Sequence, residues 1–299
     1  MTESSRYQLS RVIKRLSPLF PDRVYLKALF YLTMGRHLDL NNPQTFSEKL
    51  QWLKLHQRTP FYTSLVDKLA VKQRISQILG EEFVCPVLAV WDSVDEVDLD
   101  SLPDSFVLKT TYSGGNNGVA ICKDKKSFDW EAAKAKLQEE AKRTDIYYRY
   151  REWPYKHVAR KVFAEKYLGD NLTDYKFYCF DGDADCVLVC TDRQKGRIKY
   201  YFLDQNWHLL PYNSDSKNAP EGFSLPRPEG MDRLFDLAAQ LSKGFPFVRV
   251  DFFDVDGSIY FAEYTLYPAS GLDPKKTAEF EKRAGEKINL SLTPDKTVG

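Results

Sequence analysis

Residues 247–265 read "FVRVDFFDVDGSIYFAEYT", and the fold turns on how this stretch is paired. Valines and aromatics on both sides of Asp256-Gly257 mark two antiparallel strands joined by a tight turn. Within them stand Arg249, Asp251, Asp254, Asp256 and Glu263, charges where a sheet is ordinarily apolar. Strand side chains alternate between faces, so Arg249 and Asp251 share one face and Val248, Val250 and Phe252 the other; Glu263 shares a face with Ile259 and Phe261. A two-residue Asp256-Gly257 turn would set Asp251 opposite Ala262 and leave Glu263 on the wrong side. A three-residue loop, Val255-Asp256-Gly257 with Gly257 left-handed, sets Asp251 opposite Phe261 and Arg249 opposite Glu263. The longer loop is the expectation, with Asp254 and Asp256 as turn residues. The two acids then become diagonal neighbours, close enough to share a hard cation such as Mg²⁺. The rival reading is a cross-strand Arg249–Glu263 salt bridge with Asp251 exposed.

Two earlier stretches suggest what such a cation would accompany. "FVLKTTYSGGNNGVAICK", residues 106–123, reads as strand, glycine loop, strand, with Lys109 just before the loop. Ser113, Gly114, Gly115, Asn116, Asn117 and Gly118 leave backbone N–H groups free to converge on an anion, and a nucleotide phosphate is the natural one. No Gly-Lys-Ser/Thr follows, so this is not a Walker A loop. "RKVFAEKYL", residues 160–168, is a short strand whose edge can offer backbone groups to an adenine while Glu165 takes its amino group. The same segment also reads as a buried strand running out to solvent.

Composition sets the limits. The 299 residues suffice for two domains or one large one. Lysine and arginine number 43 against 42 acids, so no global charge draws the chain to nucleic acid or membrane, and an anionic partner must meet a local cluster. The five cysteines are odd in number, lack C-x-x-C spacing and are expected to be reduced thiols. No apolar run approaches a membrane span and no leader pattern opens the chain, which points to the cytoplasm. Residues 6–20 form a basic amphipathic helix, expected to pack Val12, Ile13, Leu16 and Leu19 inward with Arg11, Lys14 and Arg15 outward; peripheral membrane contact is the alternative.

The first 80 residues read as helical. Thr45 and Glu48 make a capping box ahead of Phe46, Leu50, Trp52 and Leu53, and one helix is expected through "YTSLVDKLAVKQRISQIL", residues 62–79. Strands dominate from 174 onward, residues 213–230 are irregular and a candidate lid, and helices flank the hairpin at either end. Segregated helices and hairpins indicate α+β. The expected division is a helical region and core start at 1–100, a flap subdomain at 101–164, a C-terminal subdomain at 165–290 and a flexible tail at 291–299. "YYRYREWPYKHVARK", residues 147–161, mixes Arg149, Arg151, Lys156, His157 and Arg160 with aromatics. That mixture suits an anionic saccharide, and equally a packed interface.

Taken in order, these pieces resemble the ATP-grasp superfamily, in which two α+β subdomains clasp ATP. More narrowly, "NPQTFSEKLQWLKLH", "DKLAVKQRI", "REWPYK", "DYKFYCFDG" and "RVDFFDVDGSIYFAEYT" resemble its TupA-like branch, associated with bacterial surface polysaccharide and teichuronopeptide synthesis. The resemblance implies that Lys68, Lys109, Ser113, Gly114, Gly115, Glu165, Lys166, Leu168, Asp174 and Lys176 bind the nucleotide. It implies Asp251 and Glu263 as Mg²⁺ ligands, with Arg249 and Lys109 acting on the transferring phosphoryl group. Thr265 departs from the asparagine common in ATP-grasp ligases, which puts a second metal in doubt. The implied reaction joins the carboxylate of an acidic sugar or amino acid to an amine, with no nucleic-acid partner. Rivals are a sugar kinase, a glycosyltransferase using Asp254-Val-Asp256, and a silent nucleotide-binding module.

Overall fold

The protein is seen in a computed structural model that describes residues 2–114, 117–143, 146–170, 172–191 and 198–292. Helices fill the chain as far as residue 79: α1 (Glu3–Arg15), α2 (Asp22–Met34), α3 (Phe46–His56), α4 (Pro60–Val66) and α5 (Ala70–Leu79). At the start of α3 the Thr45 hydroxyl accepts the Glu48 amide and the Glu48 carboxylate accepts the Thr45 amide, so the capping box forms as expected. The single helix expected over 62–79 is two. Asp67 Oδ1 accepts the amides of Leu69 (2.9 Å) and Ala70 (3.1 Å), a local side-chain bond that competes with the helical ladder and breaks it. Lys68 therefore stands in a turn rather than on a helix.

Strands β1 (Val87–Trp91), β2 (Phe106–Thr110), β3 (Val119–Cys122) and β4 (Val162–Lys166) form an antiparallel sheet in the order β1-β4-β2-β3. Helix α6 (Trp130–Ala141) packs on it through Ala133 and Leu137, and α7 (Ile146–Tyr150) leads back to β4. This small sheet draws β1 from before residue 101 and runs β4 beyond 164, across both limits expected for a flap subdomain. A larger sheet comprises β5 (Leu172–Phe180), β6 (Asp183–Thr191), β7 (Lys199–Leu203), β8 (Leu209–Leu210), β9 (Val248–Val255) and β10 (Ser258–Thr265), in the order β10-β9-β5-β6-β7-β8. Helices α8 (Ser214–Lys217), α9 (Met231–Leu241) and α10 (Ala278–Lys287) complete the α+β fold. Residues 293–299, most of the expected tail, lie outside the described residues.

Pleating gives the large sheet two distinct faces. Phe177 meets Phe235 of α9 edge-on at 4.9 Å on one face; on the other, Tyr178 meets Phe280 of α10 at 5.8 Å. Within the segment 213–230, Asn213 bridges to Lys276 whereas the part around 223–225 packs on the first face. Phe223 lies 4.4 Å from the ring of Tyr201, and the Leu225 carbonyl accepts the Trp207 indole N–H at 2.8 Å. Tyr201 belongs to the row Val189, Tyr175, Phe252 on the α9 side, so this stretch is pinned to the back of the sheet rather than poised as a lid.

Helices α3 and α10 join through a buried carboxylate. Glu281 accepts the amide (3.2 Å) and hydroxyl (2.6 Å) of Ser47 in the first turn of α3, where the helix dipole favours an anion, and pairs with Arg36 at 2.9 Å. Close approach depends on Gly285, because a Cβ there would stand 2.3 Å from the Gln44 carbonyl and 2.9 Å from the Phe46 amide.

Helix α1 differs from expectation. Ile13 packs on the cluster of Tyr25, Leu26 and Leu29, but Val12, Leu16 and Leu19 face outward. No described helix is long and apolar enough to cross a membrane.

Replacing Gly285 with alanine is expected to cost about 1–3 kcal/mol through overpacking, read as a lowered urea midpoint with unchanged slope.

Candidate active site

The hairpin brings Asp251 and Glu263 together by a route the sequence reading rejected. Its turn is the two-residue one: Val255 pairs with Ser258, and Asp256 (φ 50°) and Gly257 (φ 86°) are both left-handed. The Gly257 amide donates to Asp254 Oδ1 at 2.9 Å, so both turn aspartates serve the turn. That parity alone would oppose Asp251 to Ala262. A β-bulge between Phe261 and Glu263 inserts one extra residue, after which Glu263 pairs with Asp251 and Thr265 with Arg249. Both acids and the guanidinium end on the face that carries Tyr178, Lys176 and Asp174.

There the charges interlock. Arg249 donates side-on to Asp251, Nε to Oδ1 at 2.7 Å and Nη2 to Oδ2 at 2.6 Å, and the same Nη2 lies 3.1 Å from Glu263 Oε1. Lys176 bridges Asp251 Oδ2 at 2.8 Å and Asp174 Oδ2 at 2.7 Å. Asp251 is completely buried, whereas the Glu263 side chain is 42% exposed. Burial alone would raise the Asp251 pKa, but Arg249 and Lys176 outweigh it and hold the group below the usual carboxylate range. Neither earlier reading of the hairpin is complete. The Arg249–Glu263 contact exists, yet Asp251 is buried rather than exposed, and both its oxygens already accept from cations. Glu263 is the carboxylate open to a ligand, and its Oε1 also accepts the Thr265 hydroxyl at 3.3 Å.

On the small sheet the signs reverse. Glu165 pairs with Lys109 through Oε1 and with Lys72 through Oε2 at 3.0 Å. Both oxygens of Glu165 are thus engaged by lysines, which it holds in place. Burial works to raise its pKa, and the two ammonium groups bring it below normal. Lys72 is the residue the sequence reading missed; its signal was the four-residue spacing from Lys68 in "DKLAVK". Lys68 donates its amide to the Thr111 carbonyl at 3.1 Å and its ammonium to the Ser113 carbonyl, which places it under the loop that follows β2. The Ser113 hydroxyl turns inward to Thr110 Oγ1 at 2.5 Å and does not face outward to a ligand. Gly118 makes room for that pair, since a Cβ there would fall 1.9 Å from Ser113 Oγ. Gly114 is exposed, and Gly115 lies outside the described residues. Lys166 sends its side chain to solvent, donates its amide to the Pro86 carbonyl at 3.0 Å and accepts the Cys85 thiol at its own carbonyl; Leu168 is half-buried in the loop after β4.

The two clusters lie within electrostatic reach of each other. Lys68 is lowered in pKa chiefly by burial, and it feels Glu263 across the gap as well as neighbouring Lys109. Lys276 also overhangs the large-sheet face, with its ammonium 4.0 Å from the centroid of Phe202 and 5.0 Å from that of Phe280; burial brings its pKa down to about 8. The aromatic and basic stretch 147–161 is largely structural at two positions. Arg151 is buried, donating to the carbonyls of Ser17 (2.6 Å) and Phe20 (3.0 Å), and Arg160 donates to those of Ala141 (2.7 Å) and Arg143 (2.5 Å).

One antiparallel sheet thus carries a lysine cluster and the other a cluster built on carboxylates. The chain belongs to the TupA-like ATPgrasp family, whose sequence profile matches residues 48–289. No curated protein sequence matches it. Among solved structures it is similar to the D-alanine–D-alanine ligase of Helicobacter pylori, with 13% identity, TM-score 0.44, and coverage of 77% of this chain and 60% of that one. It is also similar to the Bacillus anthracis D-alanine–D-alanine ligase complexed with ATP, with 16% identity, TM-score 0.45, and coverage of 75% and 64%. A third is the N5-carboxyaminoimidazole synthetase of Staphylococcus aureus complexed with ADP, with 16% identity, TM-score 0.40, and coverage of 80% and 56%. The chain thus spans about three fifths of the length of the ligases it matches.

The depressed carboxylates set the acid limit of stability. Asp251 and Glu165 stay ionised in the folded protein at pH values where the unfolded chain has taken up protons. Their contribution is complete above about pH 5 and is lost as pH falls through 4 and lower. The urea midpoint is expected to drop between pH 5 and pH 3, and Glu165→Gln to make that drop shallower.

Proposed function

We propose that this chain is an ATP- and Mg²⁺-dependent ligase that activates a carboxylate as an acyl phosphate and joins it to an amine, in the assembly of bacterial surface polysaccharide. The observation that supports it most is the grouping of Lys68, Lys72 and Lys109 around the single carboxylate Glu165, with an exposed carboxylate, Glu263, on the large sheet. There Asp174, Asp251 and Glu263 are matched in number by Lys176, Arg249 and Lys276, so the open acid, not a net charge, is what a cation would meet. A triphosphate carries the sign to lie on the lysine side, and a divalent cation the sign to lie on the acid side.

The donor set suits Mg²⁺. Glu263 offers an exposed hard carboxylate oxygen, and Asp251, paired with it across the strands, would join it on exchanging an Arg249 or Lys176 contact for the ion. When bound, Mg²⁺ would neutralise phosphate oxygens and hold them for in-line transfer. Lys109 and Lys68 would bind and orient the phosphates, with Glu165 fixing the position of Lys109. Arg249 is rigidly held by Asp251 and would stabilise charge at the transferring phosphoryl group. The substrate carboxylate oxygen forms a bond to the γ-phosphorus as the bond to ADP breaks. The amine nitrogen then attacks the carbonyl, loses its proton and expels phosphate.

The test is product chemistry with ATP, Mg²⁺, candidate uronic or amino acids, and amines, followed by phosphorus NMR. ADP and inorganic phosphate that appear only when acid and amine are both present support the ligase. A phosphosugar would mean a kinase, UDP released from a UDP-sugar a glycosyltransferase, and no turnover a binding module. Arg249→Met is expected to lower turnover about 10²–10³-fold, the scale of removing one preorganised charge-stabilising donor. Glu263→Gln should raise the Mg²⁺ concentration at half-maximal ADP release by about tenfold or more.

A further inference from the structure

Half of the large apolar side chains exposed among the described residues lie between Tyr7 and Val24. Leu9, Val12 and Leu16 are spaced three and four residues apart and share one side of α1. The band continues through Leu19 (76% exposed) and Phe20 onto Val24 (54% exposed) of α2. Single exposed apolar residues are ordinary, but a contiguous stripe along one helix and its turn marks an interaction surface. The surface is rigidly backed. Ile13 packs inward, Lys14 lies 4.9 Å from the centroid of Tyr150, and Arg151 holds the carbonyls of Ser17 and Phe20.

The charges bordering the stripe identify what it meets. Arg15 of α1 and Arg23 and Lys27 of α2 are exposed on the same two helices, and Arg11 is exposed further round α1 from the stripe. Asp22, the one acid between residues 4 and 28, is tied to Arg58 at 2.7 Å and to Arg151. A chain of almost zero net charge has therefore gathered a cationic, apolar face at one place.

We propose that this face docks on an anionic lipid bilayer, with the apolar stripe entering the headgroup boundary and the arginines and lysine contacting lipid phosphates. Long basic side chains can lie along the boundary with their charges among the headgroups, and apolar burial and electrostatic attraction then act together. A second copy of the chain fits less well. A two-fold pairing would set this patch against itself and oppose arginine to arginine. The proposal does not depend on the ligase reading, and nucleotide turnover plays no part in its test.

The full chain is sedimented with vesicles of phosphatidylcholine alone and of phosphatidylcholine mixed with phosphatidylglycerol. Binding is expected to the mixed vesicles only, and to weaken as salt is raised. Leu16→Ser with Leu19→Ser, and separately Arg11→Gln with Arg15→Gln, should each lower partition about tenfold or more. Val90→Ser, an exposed apolar site on β1, should leave it unchanged. Circular dichroism checks each fold, and if the serine variant melts early, Val24→Glu alone should show the same loss. The proposal is overturned by equal binding to neutral vesicles, by no binding to the anionic ones, by variants that bind as the native chain does, or by a dimer that these substitutions dissociate.

Discussion

A carboxylate with no exposed surface is tolerable only if cations surround it, and Asp251 is that carboxylate. Arg249 chelates it side-on and Lys176 caps its second oxygen. Leaving such a group without a partner costs about 3–5 kcal/mol, which obliges the three residues to act as one rigid unit. The remaining contacts grow from it: Lys176 reaches on to Asp174, and Arg249 to Glu263. The central strands β5 and β9 thus carry charge on one face because each charge compensates its neighbour, while their opposite face, led by Phe177 and Phe252, packs beneath α9. The same rigidity gives Glu263 its role, since it is the acid in the group with an exposed side chain and a fixed neighbour.

The small sheet answers with the same logic inverted. Glu165 is buried between Lys72 and Lys109, and it positions two ammonium groups. Lys68 arrives from the break between α4 and α5. A continuous helix would keep its amide in the helical ladder; the Asp67 side chain releases it to the Thr111 carbonyl. A turn-forming aspartate one residue ahead of the lysine is therefore what aims it at the loop after β2.

Much of this was legible in the chain. Thr45 and Glu48 announced their capping box because the motif is local, and the alternation through 106–110 and 248–255 placed strands because period two leaves few alternatives. Lys109, Arg249, Asp251 and Glu263 were identifiable as residue types set against apolar strands, and Lys176 only through the family resemblance. What failed was whatever depended on neighbours distant in sequence. The Ser113 hydroxyl is held by Thr110, a contact the loop sequence did not announce, and Glu165 looked free until Lys72 arrived from another element. Val12, Ile13, Leu16 and Leu19 looked like a core stripe, yet of these Ile13 alone packs inward, beside Ser10.

The hairpin shows where the boundary lies. Sequence by itself determined that two strands meet at Asp256-Gly257 and that Arg249 and Asp251 share a face, because these follow from φ preferences and pleat within a few residues. It did not determine the register past the turn. That depended on one extra residue at Ala262, and a bulge leaves no local signature in residue type when the energy that places it is the pairing of Glu263 with Arg249 on the neighbouring strand. Tertiary structure decided the register because a slip of one residue would have sent Glu263 to the apolar face, with no cation to receive it.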